Sequence, residues 1–422
     1  MAEPPQQPPQ QPQPKNAIQR PRGTRDFLPR DMERRRWLEG VFRATMERFG
    51  FREVGTPTFE HLELFTLRSG QGIIEDMYAF KDKGGRDVSL RPELTAPVIR
   101  LYVEELVSAP KPLKLFYYGN CFRYENPQKG RYREFWQFGC EILGAKRAAG
   151  EVELLTLAHD ALKAAGLKKF VMRIGHVGVL RKLLEDNGIT KEKQSPLMPL
   201  IDKKNYDGLR AALEEMKADA KHIVGVLSAS GGREILQKVP GSGLDEVLDG
   251  LADTGVTDYI IEPGIARGLD YYTGMVFEVD VPYLGAEKQV CGGGSYALAE
   301  LFGAEGIEST GFAIGFDRVL VALEAQKADF PARQLDFYVI PMGAGQRREA
   351  LKVLTALRKA GHSADIDLSE RNFSKALKYA SSLNAREAVL VGEEELKKGV
   401  LAVKDMASGK QREARLEELL KS

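Results

Sequence analysis

The sequence predicts an α/β protein in two parts: an α+β core whose main sheet is antiparallel and flanked by helices, and a smaller mixed-sheet α/β domain at the C-terminus. Three observations carry this. Strand-like stretches at 113–122 and 135–144 follow one another with only a turn region between, which favours antiparallel pairing over a doubly wound parallel sheet. From Gly175 to about Leu251 the pattern changes to short helical segments with Lys-rich turns, as expected of an insertion. After residue 328 strands and helices alternate, the pattern of a small α/β unit.

The elements follow in order. Residues 1–20 open on MAEPPQQPPQQPQPK, almost all Pro and Gln, and read as a disordered tail. Asp31 is expected to cap a helix running to about Phe49, with Trp37, Leu38, Val41, Phe42 and Met46 on its apolar stripe and Gly50 as its stop. A strand interrupted by Pro57 belongs at an edge or an interface bend. Residues 86–90 read as a strand, Glu93 to Val107 as a helix, and Glu151 to about Ala165 as another. The core therefore spans 21–174, gives way to the helical insertion at 175–251, and resumes over 252–327. There a strand-like run at 259–281 leads into a Gly-rich strand pair and a helix ending near Ala325. The last domain, 328–422, opens on a linker and continues with DFYVIPMG, a helix at 346–360, HSADID, a helix at 373–383, AVLVG, a strand near Gly399–Lys404 and a final helix.

Composition narrows the function. With 422 residues, 43% apolar, 29% charged and a net charge of +1, the chain has the profile of a multidomain enzyme, and any nucleic-acid site must concentrate positive charge locally. Residues 331–422 hold 17 Lys and Arg against 13 Asp and Glu, a modest excess. The three cysteines form no C-x-x-C pair and the five histidines are scattered, which argues against a disulfide framework or a zinc site and fits a reducing cytoplasm. No apolar run approaches the roughly 20 residues a membrane span needs. There is no G-x-x-x-x-G-K-[ST] loop, and no G-x-G-x-x-G follows a strand. The string Arg173-Ile174-Gly175-His176 stands far from the N-terminus without a K-M-S-K-S partner, and reads as a chance match to the nucleotide signature of Rossmann-type synthetases.

Five clusters carry chemistry. In CFRYENPQKGRYREFWQFGCE (121–141), four cations and one acid lie between Arg123 and Arg133 around an Asn-Pro-Gln-Lys-Gly turn. It reads as a hairpin with Arg123 and Gln137 on its stems and Lys129 and Arg131 in its loop. Such arginines suit bidentate phosphate contacts, although charge alone serves a solvated hairpin equally well. In RPELTAP (91–97), Glu93 and Thr95 would hold an ammonium group or simply serve a helix N-terminus, the second reading being favoured on these residues alone. ARGLDYYTG (266–274) sets an arginine, an aspartate and two tyrosines between glycines. CGGGSY (291–296) either lets backbone approach a flat ligand or makes a tight turn. GFAIGFDRVL (311–320) places Arg318 on an apolar helix, where an arginine usually snorkels or pairs.

Taken in order, these strings resemble the histidyl-tRNA synthetases, class II aminoacyl-tRNA synthetases, from about Arg22 to the C-terminus. RGTRDFLP (22–29) is similar to the family's opening segment, the helix and Pro57 strand to motif 1, residues 121–141 to motif 2, and 311–320 to motif 3. ARGLDYYTG and CGGGSY resemble two histidine-specific signatures. RGLDYY together with the long motif 2 match is the strong part, and the wording leans toward the archaeal or eukaryotic branch.

The resemblance implies a class II antiparallel sheet, a homodimer built through motif 1, and a C-terminal anticodon-binding domain. It implies ATP with Mg2+, L-histidine and tRNA(His) as ligands, and no metal held by protein side chains. Glu93, Thr95, Gln137 and Glu141 would hold the amino acid, the carboxylates facing its ammonium group, with Tyr271 and Tyr272 along the imidazole. Arg123 would grip the α-phosphate, Glu125 the adenine side, Arg131 the distal phosphates and Arg318 the γ-phosphate. Arg267 would be the catalytic cation, and Gln128 and Lys129 would meet the tRNA acceptor end. Ser295 and Ala297 stand where the family often has Arg and Asp. Two alternatives compete: a paralogue that regulates ATP phosphoribosyltransferase, which lacks the anticodon domain, and a tRNA sensor without catalysis.

Overall fold

A computed structural model describes residues 18–67, 75–127, 130–265 and 271–421. The chain divides into two compact units, the first ending at Asp329 and the second running from Phe330 to Ser422.

The first unit opens with helix α1, Pro29–Arg48. The expected cap is corrected here. Proline takes the first helical position, where its missing N–H costs nothing, and Asp31 lies inside the first turn, its carboxylate accepting from the Leu28 N–H at 3.0 Å. Leu38, Phe42 and Met46 are fully buried, Trp37 and Val41 partly, and Gly50 at φ +78° turns the chain away.

Strands β1 (Arg52–Glu53) and β2 (Phe59–His61) lie on either side of Pro57, as proline requires, and β3 (Ala79–Lys81) and β4 (Asp87–Leu90) join β2 in a small antiparallel sheet. The helix expected from Glu93 begins at Thr95 as α2 (Thr95–Leu101) and loosens into a π-helical turn over Tyr102–Leu106. Hairpin β5–β6, Leu113–Phe122 and Glu134–Leu143, pairs without a slip from Leu113↔Leu143 to Phe122↔Glu134. Helix α3, Arg147–Ala164, starts one turn before the expected Glu151.

Strand β7, Val171–His176, was not read from the sequence and belongs to the core sheet. The helical stretch then follows, with α4 (Val177–Asp186), α5 (Tyr206–Glu215), α6 (Ala220–Leu227) and α7 (Leu244–Asp253) as its longer members. Leu184, Ile201, Leu209, Leu213, Ile223 and Leu227 give it a core of its own. Strands β8 (Tyr259–Ile261), β9 (Tyr272–Asp280), β10 (Gln289–Tyr296) and β11 (Ser309–Gly315) return to the core, and α8 (Phe316–Ala325) follows directly.

The main sheet has eight strands in the order β1-β5-β6-β11-β10-β9-β7-β8. Its inner pairings are antiparallel and its outermost ones, β1 with β5 and β7 with β8, are parallel. The glycine string 291–296 is neither turn nor loop: it is β10, bonded on both sides. A Cβ at Gly293 would stand 2.1 Å from the Gly311 carbonyl, so this glycine admits a neighbouring strand.

In the second unit β12 (Leu335–Pro341) lies between β13 (Ala364–Ile366) and β14 (Ala385–Val391), parallel to both. Antiparallel β15 (Leu401–Asp405) and β16 (Gln411–Ala414) complete the five strands. Helices α9 (Arg347–Lys359) and α10 (Phe373–Ser382) cover the two faces. Alternation along β12 sends Phe337 and Val339 to one core and Tyr338 and Ile340 to the other.

Candidate active site

Two neighbouring groups of polar side chains lie on the main sheet. The first is a cleft of about 260 Å³. Arg123, Glu125 and Arg131 reach it from the end of the β5–β6 hairpin, Gln137 from β6, Gln289 and Gly292 from β10, and Asp317 and Arg318 from the start of α8. The Arg123 N–H extends the hairpin ladder to the Arg133 carbonyl at 3.0 Å, and its guanidinium Nε donates to the Pro92 carbonyl at 2.9 Å. Glu125 receives Arg131 at 3.2 Å and Arg123 at 3.8 Å. Arg318 donates to the Gln289 carbonyl at 2.9 Å.

Asp317 is buried and accepts from Arg25 at 2.7 Å, Arg35 at 2.6 Å and the Trp136 N–H at 2.9 Å. Arg25 lies over the Tyr132 ring at 3.3 Å, so the opening segment of the chain backs this cleft. With Asp317 already neutralised, three guanidiniums face one remaining carboxylate, a surface suited to a polyphosphate.

The second is a buried cluster of tyrosines and carboxylates. Glu93 accepts the Thr95 N–H at 2.5 Å and the Ala96 N–H at 3.0 Å, so it does serve the start of α2 as the residue-level reading favoured. Thr95 Oγ1 lies 3.3 Å from the Tyr117 hydroxyl, which donates to Glu141 Oε1 at 2.9 Å; the Tyr296 hydroxyl donates to the other Glu141 oxygen at 2.5 Å. Tyr271 packs on Tyr272 with ring centres 4.9 Å apart, and Tyr296 stands edge-on to Tyr271 at 5.6 Å. Gln137, shared with the cleft, accepts from Cys121 Sγ at 3.4 Å. The two groups adjoin at Pro92, next to Glu93: the Pro92 carbonyl accepts from Arg123 Nε.

Burial dominates the electrostatics here. It raises Glu141 to about 8, against the pull of its Tyr296 and Tyr117 hydrogen bonds. It also raises Glu93, although two backbone N–H groups and Arg123 oppose it. Burial, and then the Glu141 charge, lifts the Tyr117 and Tyr296 phenols well above their usual range. Room for this carboxylate depends on glycine: a Cβ at Gly311 would fall 1.6 Å from Glu141 Oε2, and one at Gly139 would fall 2.6 Å from the Tyr117 hydroxyl.

The histidyl-tRNA synthetase family model matches residues 23–319, and an anticodon binding domain model matches 336–422. The chain belongs to the histidyl-tRNA synthetase family. It is 49% identical over 413 residues to a histidine–tRNA ligase of Methanosarcina acetivorans, covering 96% of this chain and 98% of that one. It is 46% identical over 403 residues to one of Archaeoglobus fulgidus, covering 93% and 96%. Among solved structures, apo histidyl-tRNA synthetase of S. aureus superposes with a TM-score of 0.77 at 32% identity, covering 96% of this chain and 99% of that one.

Most of the sequence-predicted residues of this synthetase therefore come together: Arg123, Glu125, Arg131, Gln137 and Arg318 in the cleft, Glu93, Thr95, Glu141, Tyr271 and Tyr272 in or beside the tyrosine and carboxylate cluster. Arg267, Gln128 and Lys129 lie outside the described residues. Sequence reasoning missed Tyr117, Tyr296 and Asp317. Gly139 and Gly311, two glycines inside otherwise apolar strands, were the available signal for the first two. Asp317 adjoins Arg318 but looks like any acid in the first turn of a helix. Among the described residues no group of three or more His, Cys, Asp or Glu is placed to hold a metal ion, and no helix is long and apolar enough to cross a membrane.

Proposed function

We propose that this chain activates L-histidine with ATP to histidyl-adenylate and pyrophosphate, then transfers the histidyl group to the 3′ end of tRNA(His). The observation that carries this reading is the cleft's position against the tyrosine and carboxylate cluster. A buried set of carboxylates and tyrosines suited to a small amino acid adjoins, at Gln137 and Arg123, an arginine-lined cleft suited to a nucleotide. The amino-acid carboxylate and the α-phosphorus are then brought together at that junction.

Attack of one anion on another is slow unless fixed positive charge surrounds phosphorus. Arg123 takes the α-phosphate, Arg131 and Arg318 the distal phosphates, and Glu125 the adenine side. Arg267 is proposed as the catalytic cation. Magnesium enters with the ATP phosphates. Among the described residues, Glu125 and Asp317 are the carboxylates lining the cleft and both are engaged by arginines, so phosphate oxygens and water would be the metal's ligands. No enzyme nucleophile is required, because the substrate carboxylate is itself the attacking group.

Glu93, Thr95 and Gln137 hold the ammonium end. Glu141 is better matched to the ring than to the ammonium: one of its partners, Tyr296, packs on Tyr271 and Tyr272, the residues assigned to the imidazole. A buried acceptor at that end takes a ring N–H and rejects side chains that cannot donate one.

The remaining roles are proposed on the same basis. Residues 328–422 read the anticodon, residues 175–251 lean on the acceptor stem, and Gln128 and Lys129 meet the acceptor end. The active form is a homodimer working in the cytoplasm. The test is ATP–pyrophosphate exchange with each standard amino acid in the absence of tRNA. Exchange with histidine alone supports the reading. Folded protein that exchanges with none would give the chain to a regulatory paralogue instead.

A further inference from the structure

The string Arg173-Ile174-Gly175-His176, a chance match as a nucleotide signature, has a use of another kind. Arg173 is buried at the centre of three carboxylates, meeting Glu262 at 2.6 Å, Asp280 at 2.8 Å and Glu278 at 2.9 Å. Glu278 reaches further: its Oε1 accepts from the side-chain Nε2 of Gln289 at 3.1 Å. Gln289 begins β10 at an irregularity. It pairs with Asp280, but Cys291 pairs with Val279, so the register slips between them. Such bulges turn a backbone group out of the ladder and are common beside active sites. Here the Gln289 carbonyl accepts from the Arg318 guanidinium at 2.9 Å, and Gln289 lines the nucleotide cleft.

We infer that Gln289 is a positioning residue for adenylation: the clamp Arg173–Glu278–Gln289 fixes the bulge, and the bulge carbonyl aims Arg318 at the nucleotide. An arginine is long and rich in rotamers, and holding it before ATP arrives removes an ordering cost from the binding step. Gln289 touches no reacting atom. Its side chain donates to Glu278 and its backbone carbonyl accepts from Arg318. The inference rests on the assignment of Arg318 to the ATP phosphates.

The experiment is a double-mutant cycle in full-length protein, read by ATP–pyrophosphate exchange over ranges of ATP and histidine. Gln289→Ala is expected to raise the ATP KM about tenfold and leave the histidine KM unchanged. In the presence of Arg318→Ala, Gln289→Ala should add nothing further, because the group it aims is gone. The swapped pair Glu278→Gln with Gln289→Glu keeps one N–H···O bond between the two side chains, and should bring the ATP KM back toward wild type. Effects of Gln289→Ala and Arg318→Ala that multiply, or a histidine KM that moves as much as the ATP KM, would overturn the inference and leave Gln289 a structural residue. An Arg318→Ala variant with an unaltered ATP KM would overturn it too, by removing the assignment on which it rests.

Discussion

The tyrosine and carboxylate cluster and the arginine cleft lie side by side on one sheet and differ in burial. In the cluster the decisive group, Glu141, is fully buried and both its oxygens are satisfied by phenols. In the cleft the guanidiniums are partly exposed: Arg131 keeps 45% of its side-chain surface and Arg123 25%. Water and salt screen the second kind of site and hardly reach the first. On the proposed function, selectivity between amino acids would belong to the buried cluster, where a mismatched ligand strands polar groups. Affinity for a phosphate chain would belong to the cleft, where charge is added in increments.

The largest effect should follow from breaking the cluster. Glu141→Ala removes the acceptor of two buried hydroxyls and leaves a hole between them, and exchange with histidine should fall by about a thousandfold or more. The ATP KM should change far less, and KM values for both substrates over a concentration grid decide the point. Equal damage to both substrates would erase the distinction between the cluster and the cleft. Next in size is Arg318→Ala, with an expected rise of ten- to a hundredfold in the ATP KM, on the order of 1.4–2.7 kcal/mol. That loss should shrink as salt is added, because screening weakens the wild-type contact as well. A loss independent of ionic strength would mean that the cleft is drier than its exposure suggests.

The two regions also differ in how far they could be read beforehand. The cleft was legible because its residues cluster in sequence: Arg123, Glu125 and Arg131 share one hairpin, and charge beside turn chemistry is visible in a single string. The cluster was legible only in part. Glu93 stood out in its own string but was favoured there as a helix N-terminus, Glu141 came from the family resemblance, and Tyr117 was missed because a tyrosine in an apolar strand looks like core. What makes Tyr117 a site residue is Gly139 on the partner strand, a pairing that spans 22 positions and emerges only with the register. Strand β7 was overlooked for a related reason. It is short, it lies between two helices, and its parallel pairing with β8 leaves no turn signature. In the second unit, where strand and helix alternate, only the short helix Glu393–Lys397 and the short β16 went unread.

A smaller and more gradual effect is expected from pH. Burial holds Glu141 near 8, so the ligand-free native state keeps a proton that the unfolded chain releases near the ordinary glutamate value. The native state binds more protons across that window. Stability should therefore be highest at its acid end and fall as pH rises from about 5 through about 8. Glu93 and Glu151, also raised by burial, act in the same sense. Glu141→Gln mimics the protonated form, so melting temperature plotted against pH should decline less steeply in that variant. Parallel curves would show that Glu141 is ionised in the free enzyme.

The smallest effect on activity is expected at Ser295, one of two positions where the family often carries a different residue. Its hydroxyl donates to Glu151 at 2.5 Å, both groups are buried, and a Cβ on Gly274 would stand 2.9 Å from the Ser295 Cβ, so this part of β10 is tightly packed. Neither Ser295 nor Glu151 lines the nucleotide cleft. Because side chains alternate along a strand, the neighbouring Tyr296 faces Glu141 while Ser295 faces α3, which carries Glu151. Ser295→Ala should leave the Glu151 carboxyl short of a donor and cost about 1–3 kcal/mol of stability, measured by urea unfolding. Histidine-dependent exchange should stay within about twofold of wild type, the range expected of a group that touches no substrate. If exchange falls tenfold while stability holds, then α3 and β10 transmit their packing to Tyr296, and the cluster's boundary must be drawn to include Glu151.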